Sequence, residues 1–149
     1  MRLAIVDSEL CVGCQSCMFA CARRHGQGGL AASCIGVKSA GGMRNGFTVV
    51  VCRACFDPPC ARACPEDALV VRGEQGGVTL LPDRCLGCGC CVPACPYGAV
   101  FWDDTLNKPQ ICDGCGYCPS FCPHGVLAAE RRPKKARPPA AAAEVDHAP

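Results

Sequence analysis

The spacing of the cysteines constrains the fold of this chain more than any other feature of its sequence. Eighteen of its 149 residues are cysteine, and most of them fall into four short motifs. Three motifs have the spacing Cys-x2-Cys-x2-Cys-x3-Cys, whereas the second has four residues in its middle gap. Because internal repetition takes precedence over other structural interpretations, we treat the chain first as a fourfold repeat. The motifs occupy residues 11–21, 52–64, 85–95 and 112–122.

A cysteine-rich chain of this length is held together either by disulfides or by metal ions. Aromatic residues make up only 5% of the chain, beside 17 glycines and 13 prolines, so hydrophobic burial alone gives a thin core. Disulfides persist outside the reducing cytosol. Residues 1–6 pass directly into the polar residues 7–9, and Arg23 and Arg24 precede no apolar segment, so we predict no export signal. The expectation is a cytoplasmic chain whose thiols bind metal.

The motif spacing is typical of iron–sulfur ligation. Three cysteines within seven residues wrap one [4Fe–4S] cubane only if the loop bends tightly and turns its amide N–H groups toward the sulfides. Gly13, Gly87 and Gly114 permit that close approach. In bacterial ferredoxins the fourth cysteine, just before proline, belongs to the neighbouring cluster, so motifs act in pairs. Four motifs therefore predict four [4Fe–4S] clusters.

Zinc and a disulfide scaffold are the alternatives to this interpretation. Zinc normally takes two Cys-x2-Cys knuckles around one ion, and a third cysteine followed by Cys-Pro is not that pattern. A disulfide scaffold explains neither the repeat nor the missing export signal. Both alternatives are therefore disfavoured.

Two cysteines and one histidine stand outside the ligand pattern. Cys34 lies in a glycine-rich segment, and Cys90 is next to Cys91. We expect Cys90 to be a small buried neighbour of a cluster rather than an alternative ligand. His25 follows the first motif, but four complete cysteine sets leave no ligand position for it.

The segments between the motifs predict an α+β fold of short strands and short helices. Apolar runs of strand length precede the motifs at residues 3–6, 48–51 and 78–81, and follow them at 69–71 and 100–102. The three residues before each fourth cysteine suit one helical turn, which the following proline stops. Cys21 is followed by Ala22 instead, so the first helix can continue. We predict nested two-cluster ferredoxin-like modules around four cubanes, in one domain or in two small halves that share contacts.

Two segments depart from the repeat. Residues 22–51 form a glycine-rich insertion, which we interpret either as a covering over the first cluster or as a docking surface for a partner. Residues 131–149 form a basic, Pro- and Ala-rich tail that we predict to be disordered, which leaves residues 1–130 as the four-cluster domain.

Charge and hydropathy exclude some classes of partner. Residues 1–130 contain ten Lys/Arg and eleven Asp/Glu, and each cluster with its four thiolates adds about −2, so we expect no nucleic-acid binding. No run approaches the roughly 20 apolar residues of a membrane-spanning helix, so no membrane span is predicted.

Residues 1–130 resemble the four-cluster ferredoxin-like subunits of molybdenum and tungsten oxidoreductases, a group that includes the dimethyl sulfoxide reductase iron–sulfur subunit. The order of the motifs and the sequence Asp-Pro-Pro-Cys at residues 57–60 carry the resemblance. In that family the first motif pairs with the fourth, and the second with the third. The resemblance implies four ligand sets: Cys11, Cys14, Cys17 and Cys122; Cys112, Cys115, Cys118 and Cys21; Cys52, Cys55, Cys60 and Cys95; Cys85, Cys88, Cys91 and Cys64.

A finer resemblance, to the small electron-transfer subunit of tungsten aldehyde oxidoreductase complexes, rests on the small size and on residues 28–30, 41–43 and 107–109. It implies a tungsten- or molybdenum-pterin catalytic subunit as partner, and a flavin/nicotinamide or ferredoxin partner at the other end. The alternatives are the same relay for a formate dehydrogenase or hydrogenase, and a free-standing polyferredoxin. Chains with clusters near opposite ends can also associate head to tail into a wire.

The sequence contains no G-x-G-x-x-G, no P-loop and no nucleophile–base constellation. Nothing in it therefore indicates binding of pterin, flavin or aldehyde. We predict that the chain is not an enzyme but a non-catalytic electron-transfer subunit.

Overall fold

The computed structural model describes residues 1–41 and 46–131. In these residues, eight short strands form four separate antiparallel pairs, and short helices connect them. The strands are β1 (Arg2–Ile5), β2 (Gly36–Ser39), β3 (Phe47–Val50), β4 (Leu69–Val71), β5 (Val78–Leu80), β6 (Val100–Asp103), β7 (Lys108–Ile111) and β8 (Leu127–Glu130). The α-helices are α1 (Ser16–Arg24), α2 (Pro59–Arg62) and α3 (Cys91–Ala94), and 3-10 turns occupy Ser8–Leu10, Gly73–Gln75, Pro82–Arg84 and Cys118–Phe121.

The pairing of β1 with β8 gives the chain a nested topology. Leu3 lies opposite Ala129 in this pair, and the Arg2 guanidinium binds the Glu130 carboxylate at 2.7 Å. The pair brings the first motif beside the fourth, so that α1 packs against the turn Cys118–Phe121. The second and third motifs lie between them in sequence, and α2 packs against α3.

The helices begin and end as the motif sequences dictate. α2 has Pro59 at its first helical position, where a missing N–H costs nothing, and a proline follows Cys64 and Cys95. The helical turn expected before each fourth cysteine is present in all four motifs. α1 continues to Arg24 because no proline follows Cys21.

Two small cores hold the strand pairs together, and cysteines form part of each. Leu3, Ile35 and Leu127 pack with several cysteines in the first core. Leu69 and Val100 pack with cysteines in the second. Ile35 is the one large side chain among the described residues with less than 2% exposure. The expectation of a thin hydrophobic core is confirmed.

The glycine-rich segment is more ordered than its composition indicates. It contains the pair β2–β3, and Cys34, Ile35 and Val49 are buried in the first core. The segment is therefore part of the core. Residues 42–45 of this segment, among them Gly42 and Met43, lie outside the described part of the chain, as does the tail from residue 132 onward.

No helix in residues 1–41 and 46–131 is long and apolar enough to cross a membrane.

Candidate metal centres

Four cavities in the structure are each lined by four cysteines from the motifs. Each encloses a similar empty space of about 300 to 380 Å³, including its open mouth. We name the cysteines set A (Cys11, Cys14, Cys17, Cys122), set B (Cys21, Cys112, Cys115, Cys118), set C (Cys52, Cys55, Cys60, Cys95) and set D (Cys64, Cys85, Cys88, Cys91). The resemblance implies these same combinations; the assignment of the thiols as cluster ligands stays a prediction.

A left-handed residue shapes the cysteine loop of each motif. Gly13, Gly87 and Gly114 have φ values of 72°, 72° and 71° between the first two cysteines of their motifs. Ala54 takes the same position in the second motif, with φ at 49°. Because this conformation favours glycine, the loop geometry explains the three glycines.

Gly114→Ala is expected to destabilise the protein more than the matched change Gly125→Ala. Both glycines have left-handed φ values, 71° and 64°, so each alanine costs about 1–2 kcal/mol in backbone strain. A Cβ at Gly114 also meets the carbonyl oxygen of Met1, whereas a Cβ at Gly125 meets open space. Thermal loss of the cluster absorbance should therefore occur at a lower temperature in Gly114→Ala. Equal midpoints for the two variants would contradict this.

Backbone N–H groups point at the fourth cysteine of each motif. The Ala68 N–H donates to Cys64 Sγ at 3.3 Å, the Ala99 N–H to Cys95 Sγ at 3.4 Å and the Val126 N–H to Cys122 Sγ at 3.3 Å. Each donor lies four positions after its cysteine. Cys21 receives its bond from Cys34 N instead, at 3.3 Å. These donors neutralise part of the charge that a metal-bound thiolate carries.

Burial and mutual repulsion raise the pKa of many of these thiols. Burial, followed by the negative charge of Cys122, raises the pKa of Cys17 to about 11. Burial and then the charge of Cys95 raise the pKa of Cys60 to about 11. Such thiols keep their protons at neutral pH unless a metal displaces them. Four crowded thiols around one cavity therefore fit a metal cluster that supplies the compensating positive charge.

The electrostatic neighbours of the cysteines give the order of the sets. Burial and the thiols of its own set raise the pKa of Cys118 in set B, and Cys17 of set A adds to the effect. Burial raises the pKa of Cys112 in set B to about 12, and Cys52 of set C adds to it. Sets C and D meet in the second core, where Cys60 and Cys95 of set C pack against a cluster of buried residues that contains Cys91 of set D. The sets therefore lie in the order A, B, C, D.

Solvent exposure distinguishes the two ends of this row. Cys14 of set A and Cys88 of set D are exposed, whereas every cysteine of sets B and C is buried or half-buried. Cys14 and Cys88 are each the second cysteine of their motif. The cavities at the ends of the row are thus the ones nearest the solvent.

The two surplus cysteines both lie next to a motif cysteine. Cys34 is buried and lines the cavity of set B, and its thiol donates a hydrogen bond that lowers the pKa of Cys21. Cys90 donates through its backbone and thiol to Cys88 and lowers the pKa of that thiol. Cys90 is exposed, so the expectation that it is buried was wrong. It lies at the surface just before α3, whereas Cys91, the first residue of α3, is buried.

Two cations bind the cysteine loops and could not be found from the motifs. The Arg72 guanidinium donates to the carbonyl oxygens of Cys112, at 3.2 Å, and of Asp113. The Lys108 ammonium donates to the carbonyl oxygens of Pro82, at 2.9 Å, and of Cys85. Both residues are remote in sequence from the loops they bind, so only the folded chain reveals them. They place positive charge beside groups that become anionic when a cluster is bound.

Comparison with known proteins identifies the metal group. Residues 43–132 match the family described as 4Fe-4S dicluster domain. The chain is 38% identical over 105 residues to "Electron transport protein HydN" of Escherichia coli strain K12, an alignment that covers 66% of this chain and 58% of that protein.

Two further relatives carry the names of enzyme subunits. One, from Mesobacillus selenatarsenatis, is named as a subunit of selenate reductase; it is 35% identical over 117 residues, covering 73% of this chain and 40% of that protein. "Formate hydrogenlyase subunit 2" of Escherichia coli strain K12 is 36% identical over 104 residues, an alignment that covers 66% of this chain and 47% of that protein. The chain thus spans about half the length of these relatives.

The thiol sets and the family match agree on the chemistry. Four thiols around one cavity can hold a [4Fe–4S] cluster, and the match to a 4Fe-4S family decides against zinc. All eighteen cysteines are free thiols in the structure, which argues against disulfides. The prediction of an iron–sulfur electron-transfer polypeptide that is not itself an enzyme is confirmed. The chain belongs to the 4Fe-4S dicluster domain family.

Proposed function

We propose that this chain is the electron-transfer subunit of an oxidoreductase complex and holds four [4Fe–4S] clusters on sets A, B, C and D. The observation that carries the proposal is the row of four cavities, each lined by four cysteines of the motifs. When bound, such clusters take up and release single electrons at potentials set by their surroundings. The chain itself spaces the thiols, covers sets B and C, and leaves sets A and D close to solvent.

The exposed cysteines support a role as a conduit with two ends. Electrons can enter or leave most readily where a ligand sulfur reaches the surface, at Cys14 and at Cys88. Val12 and Leu86, beside these cysteines, are 55% and 69% exposed. Apolar side chains around an exposed cluster edge suit contact with a partner protein. One partner at each end therefore fits the arrangement.

We also propose that residues 1–130 form one domain of nested ferredoxin-like modules, and that the protein is cytoplasmic. The nesting is supported by the pairing of β1 with β8 and by the packing of α1 and α2 on elements of the paired motifs. The insertion at 22–51 belongs to this domain because it contributes to the first core.

For the partner, we propose a tungsten- or molybdenum-pterin catalytic subunit, with an aldehyde oxidoreductase as the specific case. The support is the resemblance in the motif order, in residues 57–60 and in residues 107–109. Lys108 of that last run binds the loop of set D, which gives the run a structural role. A flavin/nicotinamide or ferredoxin partner would then meet the opposite end of the row.

A relay for a formate dehydrogenase or hydrogenase is the second candidate. It is favoured by the similarity to a protein named formate hydrogenlyase subunit 2. Both candidates use the same row of cysteines, and they differ only in the protein that docks at its end.

Anaerobic purification at native expression distinguishes these candidates when metal analysis is combined with assays of aldehyde and formate oxidation by the co-purifying protein. We expect a large co-purifying protein with stoichiometric tungsten or molybdenum. Nickel without either metal would contradict this and favour a hydrogenase. A protein that purifies alone would indicate a free-standing polyferredoxin, and light scattering on the same sample would show whether chains associate head to tail into a wire.

A further inference from the structure

Cys34 lies outside the four sets, yet it is placed against a cysteine of set B. Its side chain is 5% exposed and lines the cavity of that set. Its backbone N–H donates to Cys21 Sγ at 3.3 Å. The sulfur atoms of Cys21 and Cys34 and a ring nitrogen of His25 all lie within 4.8 Å of one another. Cys34 thus meets one ligand sulfur with both its backbone and its thiol.

The fold holds Cys34 in this position. The Ser33 hydroxyl accepts from Ile35 N at 3.2 Å and donates to Ile35 O at 2.7 Å, and both residues are buried. On the other side, His25 Nε2 lies 3.9 Å from Cys34 Sγ. Since Ile35 is anchored in the first core, the turn at residues 33–35 cannot move away from α1 without disrupting that core.

The length of α1 explains why Cys21 needs a donor from elsewhere. In the other motifs the residue four positions after the last cysteine turns its N–H to the sulfur. The corresponding residue of the first motif is His25, whose N–H donates to the carbonyl oxygens of Cys21 and Ala22 at the end of α1. The glycine-rich segment returns to the helix and supplies the missing N–H through Cys34. It adds a thiol donor that no backbone amide can provide.

We propose that Cys34 is a positioning residue that donates N–H and S–H hydrogen bonds to Cys21. Through these bonds it raises the reduction potential of the cluster held by set B, a proposal that rests on the proposed function. Reduction adds a negative charge to a cluster, and donors aimed at a ligand sulfur stabilise that charge. Cys34 is not itself a ligand in this proposal. The glycine-rich segment thereby acquires a role in setting the energy of one step in the row.

The test is a redox titration of the intact, anaerobically prepared protein, followed by electron paramagnetic resonance. The signal of set B is first identified as the one lost in Cys115→Ser. Cys34→Ala is expected to lower the reduction equilibrium constant of that signal about tenfold, which is about 59 mV for a one-electron couple. Cys34→Ser keeps an O–H donor, so its shift should be smaller and in the same direction.

Cys90→Ala is the matched control, because it removes the other surplus thiol, which is exposed and beside set D. It should leave the set B signal unchanged. An unshifted set B signal in Cys34→Ala overturns the proposal, and iron loss from both Cys34 variants overturns it by identifying a ligand. If only Cys34→Ala loses iron, the titration is made on Cys34→Val, which also removes the donor but fills the space of the thiol, and an unshifted set B signal in that variant overturns the proposal. Failure of the proposed function is seen separately, as fewer than four reducible clusters in the unmodified protein.

Discussion

Removing the iron from this protein is expected to unfold it. Of the twenty buried hydrophobic residues in the described part of the chain, eleven are cysteine or alanine, so the core contains little apolar volume. The strands form four separate two-stranded pairs, and such a pair is at best marginally stable by itself. Without metal, sixteen thiols would line four empty cavities. Metal binding and folding are therefore coupled in this chain.

The measurement is circular dichroism and amide exchange before and after oxidative iron removal with a chelator under anaerobic conditions. The intact protein should contain about 16 iron atoms per chain, and the iron-free chain should lose both its cooperative thermal transition and the exchange protection of β1 and β8. Protein exposed to the chelator without oxidant is the control. A cooperative transition in the iron-free chain, or about eight iron atoms in the intact one, would contradict the prediction.

The sequence predicted the strands that follow ordinary β-propensity. The runs expected at residues 3–6, 48–51, 69–71, 78–81 and 100–102 correspond within one or two residues to β1, β3, β4, β5 and β6. Val, Ile and Leu at these positions suit a half-buried pleated surface, and the short cysteine loops limit how far each strand can extend.

Three strands were not predicted because their sequences argue against strand structure. β7 contains Pro109, which is tolerated only because a two-stranded pair has a free edge where the missing N–H is not required. β8 contains two alanines of low β-propensity, and β2 begins with a glycine. Each forms because its partner strand is fixed nearby, so tertiary pairing overrides local preference.

For the site, the motifs identified the cysteines but not what surrounds them. Spacing alone indicates iron–sulfur ligation, because three thiols in a tight loop suit a cubane. The contributions of Arg72, Lys108 and Cys34 depend on contacts between residues far apart in the chain. No periodicity or spacing encodes them. The exposure of Cys90 likewise follows from where α3 begins, not from its neighbours in sequence.

Cys122→Ser and Cys14→Ser are expected to abolish the same cluster signal, although 107 residues separate them. Both cysteines line the cavity of set A, whereas the cysteines beside Cys122 in sequence line the cavity of set B. Cys21→Ser and Cys115→Ser should abolish a second, different signal. Each variant should lose about four iron atoms, because a serine hydroxyl is a poor substitute for a thiolate. The measurement is iron analysis with electron paramagnetic resonance of the reduced protein.

Cys90→Ser is the control, because it changes an exposed cysteine outside the four sets and should retain all the iron. If Cys122→Ser abolished the same signal as Cys115→Ser, each motif would enclose its own cluster, and the crossed sets would be wrong.

Crossed ligand sets also join parts of the chain that are far apart in sequence, which clusters bound within single motifs would not do. A cluster on set A joins α1 to the end of the fourth motif, next to β8, so loss of Cys122 should also release the β1–β8 pair. Exchange protection in β1 should therefore fall more in Cys122→Ser than in Cys88→Ser, whose set D lies at the far end of the row.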